Sequence, residues 1–412
     1  MNLNRTFFLP LLLAAAVSAP LLAQTSAQPR RLTLSAAFDL AQRQNLDLAA
    51  ARAQRAVAEA GVRAASERPN PTAFFGAARD TPHESLFFDQ PIELGSKRGR
   101  RIDLAKQEVS ATTIDITALE RQVRHEVRDG YFGLAHARGA TAQQANVLKL
   151  AQRLHDIAEA RFQAGDIAQL EVTQAELEVS RAQADLQIAQ QEEKVALSDL
   201  NALLNEPATM DWDVGDVLAA SLPELTLDDL LLRAGASNAE IARINQEQKV
   251  QQSQTALLKA ERIPNLGLEF GVDFNSPGEG GFKEGARGQV SMELPLFSRN
   301  QGEIAQSLAG ERALQGELAA IRRSSEAKVQ SAYFDFVARR TEAQVYHDSL
   351  LPASQKLEQL AEDSYRAGKA NILTVLSAQQ DVHQVERQYL DSLLAVQSAF
   401  ATLEEVVGVP LD

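Results

Sequence analysis

The chain has 412 residues, 45% hydrophobic, 5% aromatic and 23% charged, with a formal net charge of −14 and no cysteine. That negative balance excludes a nucleic-acid partner, because phosphate binding needs a basic face. The absence of cysteine excludes disulfides, thiolate metal sites and lipid attachment through an N-terminal cysteine. The abundance of Ala, Leu, Gln, Glu and Arg favours long helices in contact with one another.

Residues 1–23 read as a secretion signal. Arg5 supplies the charged end, and Phe7 to Val17 form an apolar core broken only by Pro10. Small residues follow, with cleavage after Ala23 or as late as Ala27. The run is too short to cross about 30 Å of hydrocarbon. No later stretch has the length and apolarity of a transmembrane helix, which leaves a periplasmic protein, a secreted protein or a membrane β-barrel.

The rest of the chain is duplicated, with one repeat over 32–207 and a second over 225–410. Leu32-Thr33-Leu34 returns as Leu225-Thr226-Leu227, Pro69-Asn70 as Pro264-Asn265, and Tyr131-Phe132 as Tyr333-Phe334. Phe162-Gln163-Ala164-Gly165 returns as Tyr365-Arg366-Ala367-Gly368, and Glu206-Pro207 as Val409-Pro410. Matches that keep their order across a whole chain mark an internal repeat.

Each repeat predicts the same series of elements. A helical stretch runs from about Ser35 to Glu67, and again from Leu227 to Arg262, each stopped by prolines. A strand region follows, at about 72–79 and 84–93 in the first half and 266–274 and 289–296 in the second. A long helical stretch then covers Lys97 to Gln163, and Asn300 to Arg366. Gly165 and Gly368 mark turns, and returning helices end at Pro207 and Pro410. These returning helices carry a seam of alternating three- and four-residue steps. It runs from Val172 and Ala175 to Leu203, interrupted at Glu193, and from Val375 and Ala378 to Val406, interrupted at Ser392. A plain coiled coil has the same seam, but it has no strands.

The second strand pair is the clearer one. Leu266, Leu268, Phe270, Val272 and Phe274 alternate with Gly267, Glu269, Gly271 and Asp273. Val290, Met292, Leu294 and Leu296 alternate with Gln289, Ser291, Glu293 and Pro295. The polar, Gly-rich stretch from Asn275 to Gly288 reads as the hairpin loop. In the first half Ala73, Phe75, Leu86, Phe88 and Ile92 fit one face across a connection at Asp80-Thr81-Pro82-His83, while Phe74 and Arg79 break the pattern. Strands of about nine residues cross a membrane when tilted, and a soluble half-buried hairpin shows the same alternation. Four strands cannot close a barrel, and open edges in lipid are costly, so membrane-spanning strands require several copies. Two copies give eight strands and three give twelve, both even numbers.

With these features the chain resembles the TolC-like outer-membrane efflux family across Leu32 to Pro410. The duplicated order, the paired aromatic-x-Ala-Gly turns and Leu373-Thr374-Val375-Leu376-Ser377-Ala378 carry the resemblance. Pro91-Ile92-Glu93-Leu94-Gly95-Ser96-Lys97-Arg98 is similar to a stretch of the CzcC-like branch, which serves heavy-metal resistance-nodulation-division efflux; Ser96 stands where that branch usually has Gly.

The resemblance implies a mainly α fold with a small β part. Long helices would form a periplasmic α-barrel joined to an outer-membrane β-barrel completed by trimerisation. It implies a homotrimer acting as a passive conduit, docked on a periplasmic membrane-fusion adaptor and an inner-membrane resistance-nodulation-division pump. The cargo implied is divalent heavy-metal cations, with drug efflux or type I protein secretion as alternative cargo. Ala164, Gly165, Ala367 and Gly368 become the adaptor-docking tip, although glycines there also serve as ordinary helix caps. Glu171 and Tyr365 occupy the places of an entrance latch. Thr374 and Ser377 stand where drug-efflux members carry acids, so no acidic ring is expected there. Asp89, Glu269, Asp273 and Glu293 are instead candidate lumen acids, whose field favours cations.

Other classes fit less well. The chain shows no nucleophile constellation, phosphate-cradling loop or metal-ligand spacing, so no enzyme, metal site or cofactor is expected. Its six histidines are scattered over charged stretches. A periplasmic adaptor would show a single helical hairpin flanked by Gly-rich β-domains, and a coiled-coil structural protein would lack the alternating strands.

Overall fold

The computed structural model describes residues 30–80, 82–215, 218–219, 222–274 and 284–411. The expected signal segment, Thr81 in the first connection and residues 275–283 of the second lie outside the described residues.

The first repeat opens with β1 (Arg30–Arg31), α1 (Leu34–Gln44) and α2 (Leu46–Ala65), followed by β2 (Thr72–Ala77) and β3 (Glu84–Ile92). It continues with α3 (Lys97–Gln163), α4 (Gln169–Leu204) and β4 (Trp212–Asp213). The second repeats the order with α5 (Leu227–Ser237), α6 (Ala239–Glu261), β5 (Leu266–Phe274), β6 (Glu284–Met292) and α7 (Gln301–Val345). A π-helical turn (Tyr346–Leu350), α8 (Leu351–Arg366) and α9 (Ile372–Val407) complete it. At 1.5 Å per residue, α3 is about 100 Å long.

Both opening helical stretches are broken where continuous helices were expected. Asn45 and Asn238 leave the helical region at ψ 128° and 127° and cap the following helix with their side-chain oxygens. Their amide nitrogens reach the end of the returning helix, at Leu203 O (3.1 Å) and Val406 O (3.2 Å) respectively. Each buried asparagine thus satisfies a helix start and a free carbonyl at once. Nothing local marks the break, because its partner lies more than 150 residues away.

The expected helix from Asn300 to Arg366 is likewise interrupted by the π turn. Tyr131 and Gly165 are 34 residues apart, while their counterparts Tyr333 and Gly368 are 35 apart. The second half therefore carries one extra residue, and a π turn accommodates one without breaking the helix. Leu351 N bonds Tyr346 O, the five-residue step of such a turn.

The two hairpins form one antiparallel sheet in the order β2-β3-β5-β6, with β2 and β6 as free edges. Strand β6 begins at Glu284, earlier than expected, because residues that read as loop pair in register with β5, Arg287 opposite Gly271 and Gly288 opposite Phe270. It ends at Met292 and not at 296; Pro295 just beyond has no N–H for a ladder. Between β3 and α3 the stretch resembling the metal-efflux branch makes the turn. Gly95 and Ser96 both take positive φ (73° and 62°), and a Cβ at Gly95 would lie 2.7 Å from Ile263 Cδ1. Lys97 and Arg98 then tie the helix start to Asn265 and to Ser66 O, and Arg101 pairs with Glu93.

The core of the first half gathers Val123, Val127, Tyr131, Leu134, Leu200 and Trp212; that of the second gathers Leu230, Val329, Phe336, Phe400 and Leu403. The interruptions of the helical seams are satisfied locally. Glu193 accepts from Arg138, and Ser392 donates to Tyr389 O.

Candidate functional site

Two regions carry the candidate residues. At one end of the helices, α3–α4 and α8–α9 turn through matching motifs. Gly165 N bonds Phe162 O and Asp166 N bonds Arg161 O; Gly368 N bonds Tyr365 O and Lys369 N bonds Ser364 O. These are the paired bonds of a Schellman cap, which requires a left-handed residue at its centre. Gly165 and Gly368 supply it at φ 82° and 68°, with nothing within 4 Å of an added Cβ at either. Ala164, Gly165, Ala367 and Gly368 are all exposed, flanked by exposed Leu170 and Leu373. The turns therefore present backbone and small side chains outward.

Behind them a buried cluster joins the two halves. Leu154, Ala158, Val172 and Ala175 of the first pack with Tyr365, Ile372 and Val375 of the second. The Arg161 guanidinium lies 4.7 Å from the Tyr365 ring centroid and donates to Tyr365 O at 3.3 Å. The expected latch bond between Glu171 and Tyr365 is not made in this single chain. The Tyr365 hydroxyl and Glu171 Oε2 are both buried without a hydrogen-bond partner. Burial pushes the Tyr365 hydroxyl above its ordinary pKa, an effect that Arg161 opposes and Glu171 reinforces. Sequence reasoning missed Arg161, one turn before Gly165 on α3.

The sheet is the second region, and its two faces differ. One carries Phe75, Leu86, Phe88, Phe270, Val272, Val290 and Met292, all exposed. The other carries Asp89, Glu269 and Asp273, none of them fully exposed. A soluble sheet would reverse this arrangement. Asp89 stands opposite Glu269 on neighbouring strands, a costly pairing of like charges unless offset. Arg287 offsets it, with Nε 3.2 Å from Glu269 Oε1 and its guanidinium over the Phe87 ring. Glu293 lies past the end of β6 and is exposed, so it is not a strand residue as expected. Phe74, which broke the predicted pattern, shares the acidic face and stacks on Phe87 at 5.3 Å.

No group of three or more metal-ligating side chains is arranged to hold an ion among the described residues, and no helix there is long and apolar enough to cross a membrane.

The outer membrane efflux protein family matches this chain twice, over residues 37–206 and 230–409. The cobalt-zinc-cadmium resistance protein CzcC of Cupriavidus metallidurans is 26% identical over 420 residues, covering 98% of this chain and 100% of the relative. The nickel and cobalt resistance protein CnrC of the same organism is 33% identical over 254 residues, covering 59% of this chain and 56% of the relative. Among solved structures, the outer-membrane channel OprN superposes with a TM-score of 0.75 at 17% identity, over 92% of this chain and 90% of that one. CusC does so with 0.74 at 17% identity, over 92% of each. With the duplication, the inverted sheet and the glycine-capped hairpins on one chain, the protein belongs to the outer membrane efflux protein family.

Proposed function

We propose that this chain forms the outer-membrane conduit of a tripartite efflux assembly that exports divalent heavy-metal cations. The observation that carries the reading is the sheet. Its apolar face is exposed and its acidic face is sheltered, as a strand set in lipid around an aqueous lumen demands. The free edges of β2 and β6 are tolerable in a membrane only if neighbouring copies pair with them. Three copies of four strands give a twelve-stranded barrel, with the long helices extending into the periplasm.

The chain itself supplies a path and no driving force. Asp89, Glu269 and Asp273 repeated around the barrel make the lumen negative, which concentrates cations without binding them tightly. Ala164, Gly165, Ala367 and Gly368 form the surface for a periplasmic adaptor, which connects the conduit to a resistance-nodulation-division pump. Glu171 and Tyr365 are poised there as the entrance latch; their unpartnered buried oxygens favour a contact made only in the assembled state.

Metal cargo follows from the full-length similarity to CzcC, and from the further similarity to CnrC, both metal-resistance proteins by name. Deleting the gene in its native host is expected to lower tolerance to cobalt, zinc or cadmium and to raise cell-associated metal. Unchanged metal tolerance combined with drug sensitivity would overturn the cargo.

A further inference from the structure

Three arginines of α3 have a carboxylate beside them. Arg101 meets Glu93, Arg128 meets Glu404, and Arg138 meets Glu193 and Asp211. Arg121, half-buried on the same helix, meets no carboxylate among the described residues. Its one hydrogen bond there goes to a neutral acceptor, Ser237 O at 2.9 Å. Burial pulls its guanidinium below the ordinary arginine pKa, whereas Glu93 raises that of Arg101. A charge taken out of water without a partner is costly.

The Arg121 guanidinium is also held in place. Gly408 ends α9 at φ 85° and passes so close that an added Cβ would lie 3.1 Å from Arg121 Nη1 and 2.5 Å from Ser237 O. A guanidinium carries several N–H donors in a planar fork that matches a carboxylate, and a single one is used here.

Beside it lies a cavity of about 300 Å³, at the small end of ligand-site volumes. Helices α1, α2 and α3 of the first half line it together with the end of α9 of the second. Its apolar wall is aliphatic: Ala41, Leu48, Val123 and Ala401 are all buried. Phe38, also in the lining, is covered by the Arg124 guanidinium, 3.9 Å from the ring centroid. The acids of the lining are already engaged, Glu120 with Arg52 at 3.0 Å, Glu405 with His125 at 3.0 Å, and Glu404 with Arg128. The cavity thus combines an aliphatic bed with a fixed cation that the chain leaves uncompensated.

We propose that this cavity binds a small aliphatic carboxylic acid of the medium-chain fatty-acid class, with its carboxylate on Arg121 and its tail against Ala41, Leu48, Val123 and Ala401. The carboxylate supplies the counter-charge that the chain omits, and the tail displaces water from an apolar wall. An acid without a tail gains only the first of these, and a tail with a cationic head meets Arg121 with like charge. Bound there, the acid joins the opening helices of the first half to the last helix of the second. The duplicate provides a control. Arg323, the counterpart of Arg121, is 88% exposed with Glu326 3.7 Å away, so its charge is solvated and paired without a ligand.

Octanoate is the probe, on the full chain extracted and held in amphipol. Equilibrium dialysis with labelled octanoate should find a single bound acid per chain. Octanoate should raise the melting temperature, and octyltrimethylammonium and acetate at the same concentration should not. Arg121→Gln keeps a donor for Ser237 O and should weaken octanoate about tenfold, while Arg323→Gln leaves it unchanged. Ala41→Leu fills the cavity without touching the charge and should abolish binding. No octanoate bound to the parent chain, or equal stabilisation by the ammonium, would overturn the proposal without recourse to any variant. Undiminished binding in Arg121→Gln would overturn the assigned cation, and undiminished binding in Ala41→Leu would overturn the cavity.

Discussion

Tyr131 and Tyr333 stand at matching places in the two halves, and each hydroxyl reaches back to the backbone just before the first helix, at Leu32 O (3.1 Å) and Leu225 O (3.5 Å). One residue further on the halves part. Phe132 is buried beneath the second half, and Phe334 faces outward. Duplication thus kept the internal packing of each hairpin and let the outer faces specialise. The internal seam became ionic: Arg128 pairs with Glu404, both almost fully buried, and stacks on Phe400 at 4.5 Å, while Glu404 also accepts from Leu411 N. The matching residues are uncharged: Gln330 is exposed, and Asn201 is buried within its own half, where it accepts from Trp212 Nε1 at 2.6 Å. One seam is closed within the chain, and its counterpart face on α7 stays exposed in the single chain.

The largest effect expected from breaking this contrast is at the ion pair. Glu404→Ala leaves the Arg128 charge buried without its carboxylate and should cost about 3–5 kcal/mol, read by denaturant unfolding. Gln330→Ala should cost little. Phe132→Ala should cost a similar 3–5 kcal/mol or so by opening a core cavity. Phe334→Ala should leave the folded chain intact and instead weaken association, read by mass in detergent.

A second pair of variants sharpens what the halves share. Asn45→Ala and Asn238→Ala each remove a helix cap and a bond to the returning helix, so each should lower stability by about 2 kcal/mol, by nearly equal amounts. Unequal losses would show that the break is structural in only one half. At the tip, Gly165→Ala and Gly368→Ala meet no steric obstacle, and only left-handed backbone strain of about 1–2 kcal/mol is expected at each.

The smallest effect is a pH dependence confined to the internal seam. His125 Nε2 lies 3.1 Å from Asp129 Oδ2 and Nδ1 lies 3.0 Å from Glu405 Oε2, with Arg128 and Glu404 close by. The bond to Asp129 raises the His125 pKa against the opposing effect of burial. Burial pushes the Asp129 carboxyl up, but hydrogen bonds from His125 and Ser398 outweigh it and hold the group below its ordinary value. The histidine contribution is complete below the ordinary value of 6.5 and is lost as pH rises through the raised one. The aspartate contribution is complete above 3.8 and is lost as pH falls through the lowered one. The melting temperature should therefore decline as pH rises above the ordinary histidine value, and His125→Gln should flatten that decline.

Much of this architecture was legible in the residues. The span of α3, the alternation of β5, the glycine turns and the apolar seams followed from periodicity, from the backbone freedom of glycine and from the restriction that proline imposes. What was not legible depended on distant partners. The breaks at Asn45 and Asn238 need the carbonyls of Leu203 and Val406, and the early start of β6 needs β5 beside it. The π turn did leave a trace, the one-residue difference in spacing between the halves. At the tip, the acidic residue and tyrosine were found by resemblance. Arg161 escaped because a basic residue in the last turn of a helix is common and carries no local sign of stacking on Tyr365. The pairing of Glu269 with Arg287 was hidden because Arg287 fell in a stretch read as loop.

The central claim, a cation conduit lined by the acidic face of the sheet, is tested most directly by ion selectivity in planar bilayers. The reconstituted protein should give a cation-selective conductance. Asp89→Asn, Glu269→Gln and Asp273→Asn combined should shift the reversal potential toward anions without abolishing the current. A correctly assembled protein that carries no current, or whose selectivity ignores those three carboxylates, would contradict the account.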